Sequence, residues 1–289
     1  MISFSKPDVE QFLRTFSIGN FAVSPDEKQL VFSTNLSGKY NLWAMNLPNT
    51  FPVQLTFNDQ SCQGLIYDKQ GRFIIAGFDE NGNENTQFYG LPLQGGTMTE
   101  IIYEEGTRNF GPILSEDGER LYYTSSKGNP SYLNAYCYNL ETGEEETVLE
   151  GKGATTFLYD FSKDEEVILY FKHFANTYTL LYAKRGDEHI LLTPPTDQQH
   201  TVRDACFVSN ELIYLLTDYD ADFTYLASYN LETNEFVKLK DIEKESFTAL
   251  KHNKELQRLY IVSEKGVEDH LYMYDLQSNN WEEMQLPCS

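Results

Sequence analysis

The side chains best suited to bind a ligand in this chain are two of its few arginines and one glutamate. Acidic residues outnumber basic ones by 44 to 22, which gives a net charge of −22. Arg108 and Arg203 each lie just before a predicted β-strand, where a guanidinium can bind a carboxylate or carbonyl through paired hydrogen bonds. Glu84 lies in a Gly-Asn-Glu-Asn loop and can pair with an amino terminus. We predict substrate-binding roles for all three residues, with ion pairs at the surface as the alternative.

Residue types that serve in metal sites do not form a recognisable pattern. The histidines show no H-x-H or H-E-x-x-H spacing, and the four cysteines contain no C-x-x-C pair. Asp218, Asp220 and Asp222 alternate as in a calcium loop, but the EF-hand pattern requires Gly and Glu where this chain has Phe223 and Tyr229. We therefore predict no metal and no cofactor. The five histidines are His173, His189, His200, His252 and His270.

The strong negative charge restricts the partners that we expect. A surface with this charge repels nucleic acids and anionic membranes, so neither is predicted as a partner. No segment is apolar enough to span a membrane, and the amino terminus lacks the basic and apolar segments of a signal peptide. The wide spacing of the cysteines is typical of reduced thiols. We expect a cytoplasmic protein.

A repeated pattern of turn and strand runs through the whole sequence. In each copy a polar turn rich in Asp, Glu, Lys and Gly precedes a β-prone apolar stretch, and matching positions recur every 43 to 48 residues. A period of this length is typical of propeller-type repeats. The six copies are SPDEKQLVFST from Ser24, YDKQGRFIIAGF from Tyr67, SEDGERLYYTS from Ser115, SKDEEVILYFK from Ser162, VSNELIYLLTD from Val208 and HNKELQRLYIVS from His252.

One strand precedes each of these segments and two more follow it, so every repeat has four strands. Such a unit is too small to bury its own apolar faces and must pack against neighbours around an axis. We predict an all-β fold, a β-propeller of about six four-stranded blades, with a β-sandwich or another β-solenoid as alternatives. The predicted blades, within a propeller domain at 21–289, are 21–58, 63–105, 109–151, 154–195, 201–245 and 246–286.

Segment 1–20 precedes the blades and contains a predicted short helix. Val9, Phe12, Leu13 and Phe16 are spaced as on one face of a helix. We expect this helix either to cap the rim of the propeller or to dock on a domain that this chain lacks.

Two segments of the first blades are similar to a known family. Residues 16–47 resemble the first propeller blade of serine peptidases of the prolyl oligopeptidase family, particularly its acylaminoacyl-peptidase-like members. Residues 78–101 resemble the family's second blade more closely, through the Gly-Asn-Glu-Asn loop at 82–85 and the Gly-Gly turn at 95–96. The Ser-Pro-Asp turn of the first blade also occurs in periplasmic TolB-type propellers.

The resemblance implies a two-domain enzyme, in which a propeller restricts access to a Ser-Asp-His triad in an α/β-hydrolase domain. This chain contains no G-x-S-x-G nucleophile elbow and no alternation of strands and helices of the kind that a hydrolase sheet requires. We therefore expect a non-catalytic, substrate-gating domain whose partners are short peptides and the hydrolase domain of a parent serine peptidase. The alternatives are a stand-alone binding or scaffolding propeller and a propeller enzyme that acts on a small molecule with an axial metal.

The predicted number of blades is lower than the number usual in this family. Propellers of the prolyl oligopeptidase family usually have seven or more blades, so the resemblance suggests that a seventh unit is missing. A ring cut from seven units would expose apolar sheet faces. We expect either a tightened six-bladed ring or self-association.

Overall fold

The chain is built almost entirely of β-strands. A computed structural model describes residue 6 and residues 9–285, and this part contains twenty-four strands and one helix, α1 at Val9–Leu13. The helix is shorter than the predicted helical face and has only five residues. No helix in the described part of the chain is long and apolar enough to cross a membrane.

The strands come in six groups of four. Those of the first three groups are β1 (Ile18–Val23), β2 (Gln29–Thr34), β3 (Asn41–Asn46), β4 (Val53–Gln54), β5 (Cys62–Tyr67), β6 (Phe73–Phe78), β7 (Gln87–Pro92), β8 (Thr99–Ile102), β9 (Asn109–Leu114), β10 (Arg120–Ser125), β11 (Asn134–Asn139) and β12 (Glu145–Glu150). Those of the last three groups are β13 (Thr155–Phe161), β14 (Val167–Ala175), β15 (Tyr178–Arg185), β16 (Glu188–Leu191), β17 (Val202–Phe207), β18 (Leu212–Thr217), β19 (Tyr225–Asn230), β20 (Glu235–Lys240), β21 (Ser246–Asn253), β22 (Arg258–Lys265), β23 (Glu268–Asp275) and β24 (Asn280–Glu283).

Each group forms one antiparallel sheet. The four strands of a sheet are consecutive in the chain and pair in chain order, so β1–β4 form blade 1, β5–β8 form blade 2, and β21–β24 form blade 6. No described sheet combines strands from the two ends of the chain. This architecture confirms the predicted all-β propeller of six four-stranded blades.

The chain divides into two compact units. The first comprises residues 1–130 and 134–148, and the second comprises residues 131–133 and 149–289. In the first unit, one apolar core lies between blades 1 and 2 and another between blades 2 and 3. In the second unit, the cores lie between blades 4 and 5 and between blades 5 and 6.

Adjacent residues of a central strand show why both faces of these sheets must be covered by neighbouring blades. Ile74 and Ile75 are adjacent in β6 and therefore point to opposite faces of the sheet. Both are completely buried, Ile74 in the core shared with blade 1 and Ile75 in the core shared with blade 3. Leu215 and Leu216 in β18 are buried in the same way between blades 4 and 6. Continuous apolar runs thus belong to strands that are covered on both faces.

In blades 1 to 4, the repeated polar turn connects the first and second strands through a buried acceptor. In blade 3, the backbone N–H of Arg120 donates to Ser115 Oγ (3.0 Å). Ser162 occupies the matching position of blade 4 and is also buried. In these four turns the fourth residue has a positive φ, which is 72° at Gly118 and 59° at Glu165. Gly suits this conformation because it has no Cβ, whereas Glu is strained there.

The first strand of every blade contains an irregularity in its pairing with the second strand. Such β-bulges redirect side chains and are frequent next to binding sites. The residues skipped in the registers of β5, β13, β17 and β21 are Gln63, Tyr159, Arg203 and Thr248.

Candidate functional site

The loop between β6 and β7 in the first unit contains the first predicted binding residue. Gly82 and Glu84 in this loop have φ values of 76° and 62°, so the backbone there is left-handed at both positions. The N–H of Glu84 donates to Asp79 Oδ2 (3.2 Å), and the N–H of Asn85 donates to Asn83 Oδ1 (2.9 Å). These local hydrogen bonds hold the Glu84 backbone in a conformation that favours glycine.

Two of the predicted binding residues lie next to each other. An Arg108 guanidinium nitrogen is 3.2 Å from a Glu84 carboxylate oxygen, and the two side chains are 46% and 69% exposed. The guanidinium also lies 5.0 Å from the ring centroid of Phe110, and the N–H of Arg108 donates to Ser126 Oγ (2.9 Å). Because the ion pair is exposed, it contributes only about 0–1 kcal/mol, and a ligand carboxylate can compete with Glu84 for the guanidinium.

A cavity of about 230 Å³ lies beside this ion pair, between blades 2 and 3. Asn109 lines it and is only 2% exposed. Its Nδ2 donates to the carbonyl oxygen of Thr86 (2.9 Å), but its Oδ1 has no hydrogen-bond partner among the described residues. The cavity therefore offers a cation and an unused buried acceptor. Asn109 directly follows Arg108 but was not among the predicted site residues.

The third predicted residue, Arg203, belongs to the second unit. It is exposed at the bulge of β17 and forms no ion pair within the part of the chain that the structure describes. A cavity of about 440 Å³ is lined by Arg203, His173, Asn176 and Thr248. Burial lowers the pKa of His173, so its ring is neutral at neutral pH. Arg203 thus provides a positive charge among neutral polar groups, as carboxylate binding requires.

The residues considered for metal binding have structural contacts instead. Asp218 accepts hydrogen bonds from the N–H (2.6 Å) and the hydroxyl (3.0 Å) of Thr201, and His200 Nε2 lies 3.0 Å from Thr193 Oγ1. Among residues 6 and 9–285, no group of three or more His, Cys, Asp or Glu side chains is arranged to hold a metal ion. Cys62, Cys137 and Cys206 are buried and form no disulfide bond among the described residues, whereas Cys288 lies outside them.

Comparison with known proteins places the chain in a class of fold. No family model and no curated protein sequence matches it. Its structure is similar to that of a prolyl endopeptidase, with a TM-score of 0.73 and 16% identity over 95% of this chain and 43% of that chain. It is also similar to oligogalacturonate lyase from Vibrio parahaemolyticus, with a TM-score of 0.68 and 14% identity over 91% of this chain and 75% of that chain.

A third similar structure is the β-propeller domain of the trilobed protease from Pyrococcus furiosus, which has an open Velcro topology. The TM-score is 0.65 and the identity 14%, over 92% of this chain and 83% of that chain. Identities this low establish the fold alone: this chain is a six-bladed β-propeller whose structure is similar to those of peptidases and of a lyase. The chain spans less than half of the length of the prolyl endopeptidase.

Proposed function

We propose that this chain is the non-catalytic propeller domain of a cytoplasmic serine peptidase of the prolyl oligopeptidase family. The observation that carries the proposal is the match of 95% of this chain to 43% of a prolyl endopeptidase. The similarity of the loop at 82–85 to the second blade of that family supports it independently. In this proposal an α/β-hydrolase domain carries the catalytic triad, and the propeller controls which substrates reach it.

The proposed mechanism is selection by size, combined with weak binding of peptides. A narrow opening admits short unfolded peptides and excludes folded proteins. Arg108 and Arg203 are proposed to bind carboxylates or carbonyl oxygens of the entering peptide. The ion pair of Arg108 is exposed, and Arg203 forms no ion pair among the described residues, so both guanidinium groups can exchange partners. Glu84 is proposed to pair with the amino terminus of the peptide when Arg108 releases it.

The first experiment asks whether the chain is catalytically inert. Purified residues 1–289 are incubated with acylated and prolyl peptide substrates, and we expect neither hydrolysis nor labelling by a fluorophosphonate. Turnover that a serine-directed inhibitor abolishes would contradict the proposal. Reading the gene beyond the codon for Ser289 complements this test, because an in-frame G-x-S-x-G followed by Asp and His is expected.

The second experiment asks whether the arginines bind peptides. A fluorescent tetrapeptide is titrated into the wild-type chain and into Arg108→Ala and Arg203→Ala, and each variant should bind several-fold more weakly. Arg120→Ala is the matched control, because Arg120 pairs with Asp117 in a turn and lines neither arginine cavity. Equal losses for all three variants would indicate a general effect of charge and would refute a specific role.

The alternative function is that of a stand-alone binding or scaffolding propeller. The match to oligogalacturonate lyase favours a stand-alone propeller, because this chain covers 75% of that chain, so a propeller of this kind makes up most of it. A stop codon directly after Ser289, with no separate hydrolase domain co-purifying from the natural host, would support this alternative against the peptidase proposal.

A further inference from the structure

A second cavity in the first unit has an unusually acidic lining. It measures about 390 Å³ and is formed by β7, β8, the end of β6, the loops next to these strands, and the segment between β4 and β5. Four carboxylates line it, from Asp79, Glu80, Glu100 and Glu105, and none of its lining residues is Lys or Arg. The cavity therefore has a negative potential without a countercharge of its own.

Two buried oxygen atoms at this cavity have no donor. Asp79 is only 4% exposed, and while its Oδ2 accepts the N–H of Glu84, its Oδ1 has no hydrogen-bond partner among the described residues. Asn58 also lines the cavity, and its Oδ1 is likewise buried without a partner. Buried acceptors are almost always paired in folded proteins. Two unpaired acceptors in one acidic cavity favour a positively charged ligand that can donate hydrogen bonds.

Aromatic rings complete the lining. Phe78, Tyr89 and Tyr103 border the cavity, and the ring centroids of Phe78 and Tyr89 are 6.2 Å apart. Aromatic faces attract ammonium groups and cover the alkyl chains that carry them. Burial, followed by the nearby Tyr103, Glu100 and Glu80, raises the pKa of Tyr89, which fits a negative environment.

The residues that line the cavity favour an organic cation over a metal ion. A hard metal ion requires several oxygen ligands at about 2.3–2.6 Å, and the described residues contain no group of His, Cys, Asp or Glu arranged for this. A primary ammonium has three donors, which suits separate acceptors such as Asp79 Oδ1 and Asn58 Oδ1. We propose that this cavity binds a primary ammonium group carried on a short aliphatic or peptidic chain. The site would do so whether or not a hydrolase domain accompanies the chain.

Isothermal titration calorimetry on the full chain tests this proposal and identifies the source of the ammonium group. The probes are 1,5-diaminopentane and trialanine, with 1-pentanol and N-acetyl-trialanine as neutral matches. Saturable one-to-one binding of either amine, without binding of its neutral match, is the expected result. Binding of the diamine alone indicates an aliphatic amine as ligand, and binding of trialanine indicates a peptide amino terminus. Binding of neither amine, or of calcium chloride alone, would overturn the proposal.

Charge-removing variants locate the binding. We expect Asp79→Asn to raise the Kd of the bound amine at least tenfold, because a buried partner of the charge is lost. Glu100→Gln should raise it about two- to fivefold, because Glu100 is exposed. Glu146→Gln removes one exposed charge from the same unit outside the cavity and should leave the Kd unchanged.

The use of two cavity variants keeps the test informative if one of them does not fold. If circular dichroism shows that Asp79→Asn does not fold, the exposed Glu100→Gln variant decides the outcome. An unchanged Kd in the folded cavity variants, or the same change in Glu146→Gln, would refute binding at this cavity.

Discussion

A buried carboxylate in blade 6 provides the sharpest test of how the second unit is stabilised. Glu245 is 3% exposed and directly precedes β21. Its carboxylate accepts hydrogen bonds from Ser263 Oγ and Tyr272 Oη, both at 2.9 Å, and from Lys265 Nζ at 3.1 Å. Gln has the same shape but replaces one acceptor oxygen by a donor. Glu245→Gln therefore disrupts either the contact with Lys265 or those with the two hydroxyl groups.

The expected loss follows from the hydrogen bonds that Gln cannot keep. A hydrogen bond to a charged group contributes about 1.5–3 kcal/mol, and the share of Lys265 is at the low end because this side chain is half exposed. We expect Glu245→Gln to lower the free energy of unfolding of the second unit by about 2 kcal/mol at neutral pH. Glu243→Gln is the control, since that carboxylate is 88% exposed and should change the free energy by less than about 0.5 kcal/mol.

The same contact predicts a dependence on pH. Burial by itself raises the pKa of Glu245, but hydrogen bonds from Lys265, Ser263 and Tyr272 outweigh burial, and the pKa lies below its ordinary value of 4.5. A carboxylate whose folded pKa is lowered stabilises the fold above its unfolded pKa, and this contribution is lost as the pH falls through the folded pKa. The deficit of Glu245→Gln should therefore be full at neutral pH and shrink below about pH 4.5.

Tryptophan fluorescence reports on this unit directly. The chain has two tryptophans, and in a Trp43→Phe background the remaining Trp281 lies with its ring centroid 5.3 Å from that of Tyr272. Urea titrations of this background, with and without each glutamate substitution, give the free energies of unfolding. Identical transition midpoints for Glu245→Gln and Glu243→Gln at neutral pH would refute the reasoning, as would a deficit that persists undiminished in acid.

Three further predictions concern a turn, an ion pair and a thiol. The backbone is left-handed at Glu165 (φ 59°) and at Gly118 (φ 72°). Glu165→Gly should therefore raise the free energy of unfolding by about 0.5–1 kcal/mol, and Gly118→Ala should lower it by about 1 kcal/mol. Urea titration measures both changes, and changes of the same sign would contradict this. A double-mutant cycle on Glu84 and Arg108 should give a coupling below about 1 kcal/mol that decreases in high salt, and a larger, salt-independent value would contradict the exposed geometry. Burial raises the pKa of Cys62 to about 12, so peptide mapping should find this thiol unalkylated by iodoacetamide in the native protein and alkylated in urea.

The architecture could be predicted from the sequence because its determinants are local and repeated. The turns at Ser115 and Ser162 each place a buried hydroxyl and a left-handed residue at the same spacing, and both turns can be recognised in the amino-acid sequence. The adjacent Ile74 and Ile75 show that strand β6 is covered on both faces, which a continuous apolar run indicates. Six copies of such a unit leave few alternatives to a propeller.

The candidate sites could be predicted only in part because they depend on contacts between distant segments. Arg108 and Glu84 were chosen separately as ligands for a peptide, and the structure places them against each other. Arg203 is presented at its cavity by a β-bulge, and no single residue in the sequence marks that irregularity. The unpaired oxygen of Asn109 depends on the position of Thr86, which is remote in sequence and belongs to the preceding blade.

Backbone strain and unpaired buried polar atoms occur together at and around the loop between β6 and β7. Six buried side-chain polar atoms lack a hydrogen-bond partner among the described residues, and those of Asn58, Asp79 and Asn109 line the two cavities that this loop borders. Glu84 in the same loop has a positive φ and is held by Asp79. Natural sequences tolerate strain and unpaired polar groups mainly where function requires them. Because Asp79 contacts one cavity and fixes the backbone of the residue that contacts the other, a ligand at either cavity is expected to influence binding at its neighbour.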